Sequence, residues 1–139
     1  FLYFRRANAL FDTKKYEEAN TYYTLALKNP PKDTRRVINY RILKIQYELG
    51  RIPELLQGAD LFLKVSRDDF YSYEILHMLS NYFLEKKQRE KAFSYLKQLV
   101  ANYKKSVRKV ELAPEKRLEL IVLIGQLYNE LTNYELAER

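Results

Sequence analysis

The feature that most constrains this chain is a helical pattern that recurs about every three dozen residues. A small or apolar residue returns at the same place in successive short amphipathic helices. Taking Ala19, Leu55, Ala92 and Ala137 as equivalent gives spacings of 36, 37 and 45 residues. A period in this range is typical of helical hairpins that stack side by side, because one hairpin cannot bury its apolar face alone. Such stacks usually provide surfaces for binding rather than sites for catalysis.

Apolar periodicity and helix-breaking residues together predict where the helices lie. Helices are predicted at about residues 2–13, 16–28, 35–49, 53–65, 70–86, 89–103 and 114–131, with a fragment that begins at 134. Asp33 or Thr34 would cap the third helix, Gly50 would end it, and Pro53 lies in the first turn of the fourth. We expect both helices that flank residues 103–113 to extend into that stretch, because no helix breaker precedes Pro114.

These elements predict an all-α fold, a solenoid of antiparallel helix–turn–helix hairpins with about 3.5 repeats. We expect one domain over residues 1–139, with repeats at about 1–32, 33–69, 70–113 and 114–139. An apolar helix pattern begins at Phe1 without a capping residue, and the last helix stops at Arg139 before it completes three turns. Because solenoid ends normally carry a polar cap, we interpret the chain as a fragment of a larger protein.

With these residues in view, the chain resembles the tetratricopeptide repeat (TPR) family, whose unit is a helix–turn–helix of ~34 residues. The residues that carry the resemblance are Ala7, Tyr16, Ala19, Tyr23, Ala26 and Pro31 in the first repeat and Gly125, Tyr128, Tyr134 and Ala137 in the fourth. Small residues in the middle of facing helices let two backbones approach closely. The second and third repeats depart from this pattern, since Leu43, Leu55 and Ser80 replace the usual alanine or glycine.

The resemblance implies a non-catalytic protein–protein interaction module that binds a peptide or helix of a partner protein, or of its own parent protein. The first helix of each hairpin would line a concave surface. The residues expected there are Phe4, Arg5, Asn8, Phe11, Tyr40, Arg41, Lys44, Tyr47, His77, Met78, Asn81, Leu123 and Gln126. Aromatic side chains between cations suit a partner with acidic side chains. Packing between hairpins is the alternative role for the aromatic residues, and a solvated face is the alternative for Arg41 and Lys44.

Two specialised modes of such helical repeats do not fit the sequence. One branch of the family grips the C-terminal carboxylate of heat-shock chaperones with lysines, asparagines and an arginine. Of the five positions only Asn8 matches, while Phe4, Arg41, Glu74 and Met78 occupy the others. The related pentatricopeptide family reads RNA, but its glycine–proline ending and its paired polar code are not evident here.

The charge of the chain supports an alternative function. The formal net charge is +7, and residues 1–50 hold ten basic and five acidic side chains. Basic clusters at 32–36 and 104–109 would suit phosphate groups. A ligand-sensing or nucleic-acid-associated regulatory domain is therefore the second hypothesis, although no helix-turn-helix, zinc or RNP signature accompanies these clusters. A steep salt dependence of tight RNA or DNA binding would favour it.

Enzyme, metal and membrane signatures are absent from the sequence. His77 is the sole histidine, cysteine does not occur, and no Gly-rich phosphate loop or nucleophile elbow is present. Asp68 and Asp69 are typical of a helix cap or a turn pair rather than of a catalytic carboxylate pair. We therefore predict no catalysis, no cofactor and no metal. No apolar run approaches the ~20 residues that span a bilayer. The lack of cysteine fits a cytoplasmic protein and also many exported bacterial proteins, so the compartment stays open.

Overall fold

A computed structural model of the chain describes residues 1–65 and 69–106, together with single helical positions at 118, 122, 125, 126, 129, 132 and 133. The described ranges contain six α-helices and no strand. These are α1 (Leu2–Asp12), α2 (Tyr16–Ala26), α3 (Arg35–Glu48), α4 (Ile52–Val65), α5 (Phe70–Glu85) and α6 (Arg89–Ser106). The all-α helical repeat class predicted from the sequence is confirmed, and the ends of these six helices agree to within three residues. The fragment that begins at 134 lies outside the described residues.

The chain divides into two compact units, residues 1–65 and 66–139. The first unit consists of two helical hairpins, α1–α2 and α3–α4, and α2 packs against α3. The second unit contains the hairpin α5–α6. Every described element therefore belongs to a helix–turn–helix pair.

The same turn closes all three hairpins. Lys14, Gly50 and Lys87 each adopt a left-handed backbone conformation, with φ of 62°, 74° and 59°. In each turn the N–H of the following residue donates to a carbonyl five residues earlier, at 2.8 Å in the first two turns and 2.9 Å in the third. This bond closes the end of the helix in the manner of a Schellman motif. The turns are 36 and 37 residues apart, so the backbone repeats with the period found in the sequence.

The core of the first unit forms where its two hairpins meet. One cluster of buried residues there comprises Ala7, Ala19, Tyr23, Ala26, Ile38 and Ile45. Ala7 and Ala19 are both 0% exposed, which fits the expectation that small residues allow α1 and α2 to approach closely. The two isoleucines on α3 extend this core across to the second hairpin. Burial of such apolar side chains is the main stabilising contribution to the unit.

The second hairpin places its small residue differently. Leu43 and Leu55 are buried where smaller residues are usual. Gly58 on α4 provides the missing space, because a Cβ added there would lie 2.8 Å from Cδ2 of Leu43. The close approach of α3 and α4 therefore depends on a glycine one turn after the expected position.

The third hairpin begins with a helix cap at Asp69 and buries two small residues, Ser80 and Ala92. Asp69 caps α5, with its Oδ1 accepting a 2.9 Å bond from the backbone N–H of Ser72. Ser80 is buried and donates its hydroxyl to the carbonyl of Leu76 at 2.7 Å, while Ala92 is 0% exposed. Gly125 is exposed, and no described atom comes within 4 Å of a Cβ added there. Ala137, the residue expected to face it, lies outside the described residues.

Candidate functional site

A polar cluster inside the first unit joins three helices, and we call it the Arg41 cluster: Asn8 and Phe11 on α1, Tyr23 on α2 and Arg41 on α3. The hydroxyl of Tyr23 donates to Oδ1 of Asn8 at 2.5 Å. Nη1 of Arg41 donates to the same Asn8 oxygen and, at 3.1 Å, to the hydroxyl oxygen of Tyr23. The guanidinium carbon lies 5.4 Å from the centre of the Phe11 ring. The cluster therefore fixes the first hairpin against α3.

The electrostatics of the cluster keep a cation next to a neutral hydroxyl. Tyr23 is 0% exposed. Burial raises the pKa of its hydroxyl above the ordinary value, while the hydrogen bond and the charge of Arg41 oppose that shift. Arg41 is only half-buried, and its Nη2 and Nε donate no hydrogen bond to any described residue. These two nitrogens carry N–H groups that can donate to a further acceptor.

The remaining positions predicted on α1 surround this cluster. Phe4 is half-buried, with its ring centre 6.5 Å from that of Tyr23. Phe11 is also half-buried and meets Tyr23 edge-on at 6.4 Å. Arg5 is exposed, and its guanidinium lies 4.7 Å from the ring of Phe1. Phe4 and Phe11 thus pack inward with one side and leave part of each ring accessible.

The positions predicted on α3 differ in accessibility. Tyr40 is only 8% exposed, so its ring packs inside the protein and offers little contact area. Lys44 is half-buried, and its ammonium group lies 5.7 Å from the centre of that ring. Tyr47 is half-buried. Tyr40 therefore supports Lys44, whereas Lys44 and Tyr47 retain accessible surface.

The positions predicted in the second unit form a smaller group. His77, Met78 and Asn81 on α5 are all half-buried. Nδ2 of Asn81 lies 3.3 Å from Nε2 of His77, one helical turn away. Gln126 is helical and exposed, and Leu123 lies outside the described residues. The structure thus brings together Asn8, Phe11 and Arg41 in one unit and His77 with Asn81 in the other.

Comparison with known families gives two matches, both to the tetratricopeptide repeat. They cover residues 2–33 and 74–106, which hold the hairpin α1–α2 and most of the hairpin α5–α6. The chain is a tetratricopeptide repeat protein. Comparison with curated proteins and with solved structures found no significant match.

Tetratricopeptide repeats generally mediate protein–protein interactions and are typically not catalytic. In this TPR protein, the described residues contain no group of three or more His, Cys, Asp or Glu side chains that would hold a metal ion. None of the helices in the described ranges has the length and apolar character needed to cross a membrane. The function class that follows from the family is protein binding.

Sequence reasoning named Tyr23 in this TPR protein only as a residue that carries the family resemblance. Tyr23 belongs to the buried core, yet its hydroxyl connects Asn8 with Arg41. The available signal was the choice of tyrosine at a fully buried helix position, since a buried tyrosine hydroxyl usually has a hydrogen-bond partner. Nothing in the spacing indicated that the partner lies on the next hairpin.

Proposed function

We propose that this TPR protein is a non-catalytic interaction module that binds an acidic peptide or helix of a partner protein. The surface that would bind it, called the α1–α3 surface, consists of the accessible predicted residues on two helices of the first unit. These are Phe4, Arg5, Asn8 and Phe11 on α1 and Arg41, Lys44 and Tyr47 on α3. His77, Met78 and Asn81 on α5, with Gln126, remain a second proposed contact region.

The observation that carries this proposal is the geometry of Arg41. Asn8 and Tyr23 hold one guanidinium nitrogen, and Phe11 lies against the group. The side chain is therefore ordered before a partner arrives, which lowers the entropic cost of binding. Its other two nitrogens fit a carboxylate, because a guanidinium offers parallel N–H donors to two carboxylate oxygens.

The surroundings of Arg41 favour an acidic and partly apolar partner. Lys44 adds a second cation one turn along α3. Phe4, Phe11 and Tyr47 are half-buried aromatic residues, so they supply apolar contact area at little cost in side-chain entropy. Aromatic anchors between cations are typical of protein interfaces, where tyrosine and arginine are enriched.

The experiment compares matched charge reversals in the full chain. Random peptides displayed on phage are selected against the wild type, and the most enriched peptide is synthesised. We expect the enriched peptides to be rich in Asp and Glu. Lys44→Glu should weaken binding of the synthetic peptide by about tenfold or more, because it replaces an attraction with a repulsion. Lys44 is chosen over Arg41 because Arg41 also holds the two hairpins together.

The control is Lys28→Glu, an exposed lysine outside the α1–α3 surface. Lys28→Glu changes the net charge by the same amount as Lys44→Glu. It should alter the affinity for the synthetic peptide by less than about twofold. Circular dichroism should give the same helical content for both variants. Enriched peptides without an acidic excess, or equal losses in both variants, would contradict the proposal. Tight RNA binding with a steep salt dependence would instead favour the nucleic-acid alternative.

A further inference from the structure

The described residues that hold Arg41 are all uncharged. Its Nη1 donates to the amide oxygen of Asn8 and to the hydroxyl oxygen of Tyr23, and its guanidinium lies against the ring of Phe11. These three residues account for the contacts that Arg41 makes within the described part of the chain. The Arg41 cluster therefore orders the cation and leaves its charge in place.

An arginine held in this way differs from the usual arrangement. Cations that folding removes partly from water are usually paired with a carboxylate, because the lost hydration costs free energy. The acidic residues of α1, α2 and α3 are Asp12, Glu17, Glu18 and Glu48. All four are exposed, and none of them forms an ion pair with Arg41. The three helices of the cluster thus supply no carboxylate that neutralises this guanidinium by contact.

The hydroxyl of Tyr23 also stays neutral. Burial, and to a smaller extent the charge of Asp12, raise its pKa above the ordinary value, whereas Arg41 opposes that shift. The hydroxyl is therefore protonated at neutral pH, and it interacts with Arg41 as a dipole rather than as a phenolate.

Asn8 decides the charge of the cluster. A guanidinium can only donate, so the Asn8 atom that it contacts must be the amide oxygen, which also accepts from Tyr23 at 2.5 Å. The amide nitrogen Nδ2 points the other way, and no described residue accepts from it. An aspartate at this position would have the same shape and would accept the same two bonds. Its negative charge, however, would pair with Arg41.

We propose that Asn8 is a specificity-determining residue of the α1–α3 surface, because its neutral amide fixes the guanidinium of Arg41 without neutralising it. The surface thereby selects acidic over neutral partner segments. This inference rests on the proposed function, since it names the residue that sets the charge preference of the same site. Nη2 and Nε of Arg41 donate to a partner carboxylate, and Nδ2 of Asn8 is a further donor next to them.

The test compares two peptides on variants of the full chain. The first is the acidic peptide that phage selection enriches, and the second has Asn and Gln in place of its Asp and Glu. The ratio of the two dissociation constants measures the charge preference, and a general loss of structure does not change it. We expect wild type to prefer the acidic peptide by about tenfold or more. Asn8→Asp should reduce this preference by about tenfold, because Arg41 keeps the new carboxylate ionised and is neutralised by it.

Asn8→Asp should not lower stability. It keeps both accepted hydrogen bonds and adds an ion pair, so the midpoint of urea unfolding should equal or exceed that of wild type. Asn8→Ala is the second variant, since it removes the acceptor without adding charge. Its unfolding midpoint should fall, while its preference for the acidic peptide should stay within about threefold of wild type.

The matched control is Asn29→Asp. Asn29 is exposed and lies outside the α1–α3 surface, and the substitution changes the net charge by the same amount as Asn8→Asp. The preference of this variant for the acidic peptide should stay within about twofold of wild type. A reduction as large as that of Asn8→Asp would assign the effect to net charge and overturn the role of Asn8.

Two further results would overturn the inference. One is an unchanged preference in Asn8→Asp when Lys44→Glu does reduce it, which would leave the proposed function in place. The other is an equal loss of affinity for both peptides in Asn8→Asp, which would show that Asn8 only supports the fold. If neither Asn8→Asp nor Lys44→Glu reduces the preference, the proposed function fails together with the inference.

Discussion

At the scale of single residues, Arg41 shows how one side chain serves both folding and recognition. It is half-buried, it bonds to Asn8 and Tyr23 on the preceding hairpin, and it keeps two nitrogens without a described partner. The structural bonds order the group that the proposed function uses. A residue of this kind has two measurable roles, one in stability and one in binding.

The Tyr23 hydroxyl provides the first prediction. Tyr23→Phe removes one donor and one acceptor from the Arg41 cluster while the ring remains in place. We expect the free energy of unfolding to fall by about 1–2 kcal/mol, the usual contribution of buried hydrogen bonds that include a charged partner. Tyr22→Phe is the control, because Tyr22 is half-buried and its hydroxyl makes no hydrogen bond with a described residue. Its free energy of unfolding should stay within about 0.5 kcal/mol of the wild type. Urea unfolding measures both variants. Equal losses in their free energies of unfolding would contradict a stabilising role of the Tyr23 hydroxyl.

The same hydroxyl predicts a dependence of stability on alkaline pH. Burial raises the pKa of Tyr23 above the ordinary value of 10.0, so the folded state holds this proton more tightly than the unfolded state. The stabilising contribution of this higher pKa is complete below pH 10. It is lost as the pH rises through the folded-state pKa. Wild type should therefore lose more free energy of unfolding than Tyr23→Phe between about pH 9 and 11. Parallel pH curves for the two proteins would refute the expectation.

At the scale of secondary-structure elements, the three hairpins have the same backbone conformation at their turns. Lys14, Gly50 and Lys87 hold the same left-handed conformation, although only one of them is glycine. The left-handed region brings Cβ close to the following carbonyl oxygen, which costs roughly 1–2 kcal/mol for a residue other than glycine. Two of the three turns therefore contain strain that the third avoids.

Substitutions in these turns are expected to have opposite effects. Lys14→Gly and Lys87→Gly should each raise the free energy of unfolding by about 0.5–1 kcal/mol, since relief of strain exceeds the entropic cost of glycine. Gly50→Ala should lower it by about 1 kcal/mol. Lys86→Gly is the matched control, because Lys86 has an ordinary φ of −83°. This substitution should only lower the free energy of unfolding. Chemical denaturation measures all four, and destabilisation by Lys87→Gly would contradict the argument.

At the scale of the whole molecule, the first unit holds the main surface that the proposed function needs. Both of its hairpins contribute to one buried cluster, with Ala7, Ala19, Tyr23 and Ala26 from the first and Ile38 and Ile45 from the second. The α1–α3 surface combines aromatic area with Arg41 and Lys44. The net charge of +7 fits a partner with an acidic character.

We therefore expect a fragment of residues 1–65 to fold by itself. Its two hairpins bury their own apolar residues, and the Arg41 cluster joins them. A chain of this length is marginally stable, so a low but cooperative unfolding transition is expected. Circular dichroism and urea unfolding measure it, with Arg41→Ala as the variant that should abolish the transition. A fragment with little helix in buffer would show that this unit needs the rest of the chain.

The sequence by itself determined the elements of this protein. Apolar periodicity, glycine, proline and capping residues act over a few neighbouring positions, which is why six helices and the Asp69 cap were predictable. The period of 36 and 37 residues also predicted the family, because the same local signals recur with it. Partner identity and the role of the predicted surface residues are not encoded in such local signals.

Only the tertiary structure decided what individual side chains do. Tyr40 shares the helical spacing of Lys44 and Tyr47, yet it is buried, because packing around a helix does not follow its periodicity alone. Gly58 lies one turn away from the expected small residue, and the close approach of α4 to Leu43 depends on it. The bonds between Arg41 and the first hairpin join positions 18 and 33 residues apart. Contacts at such separation depend on how hairpins pack, a property that no local pattern in the chain specifies.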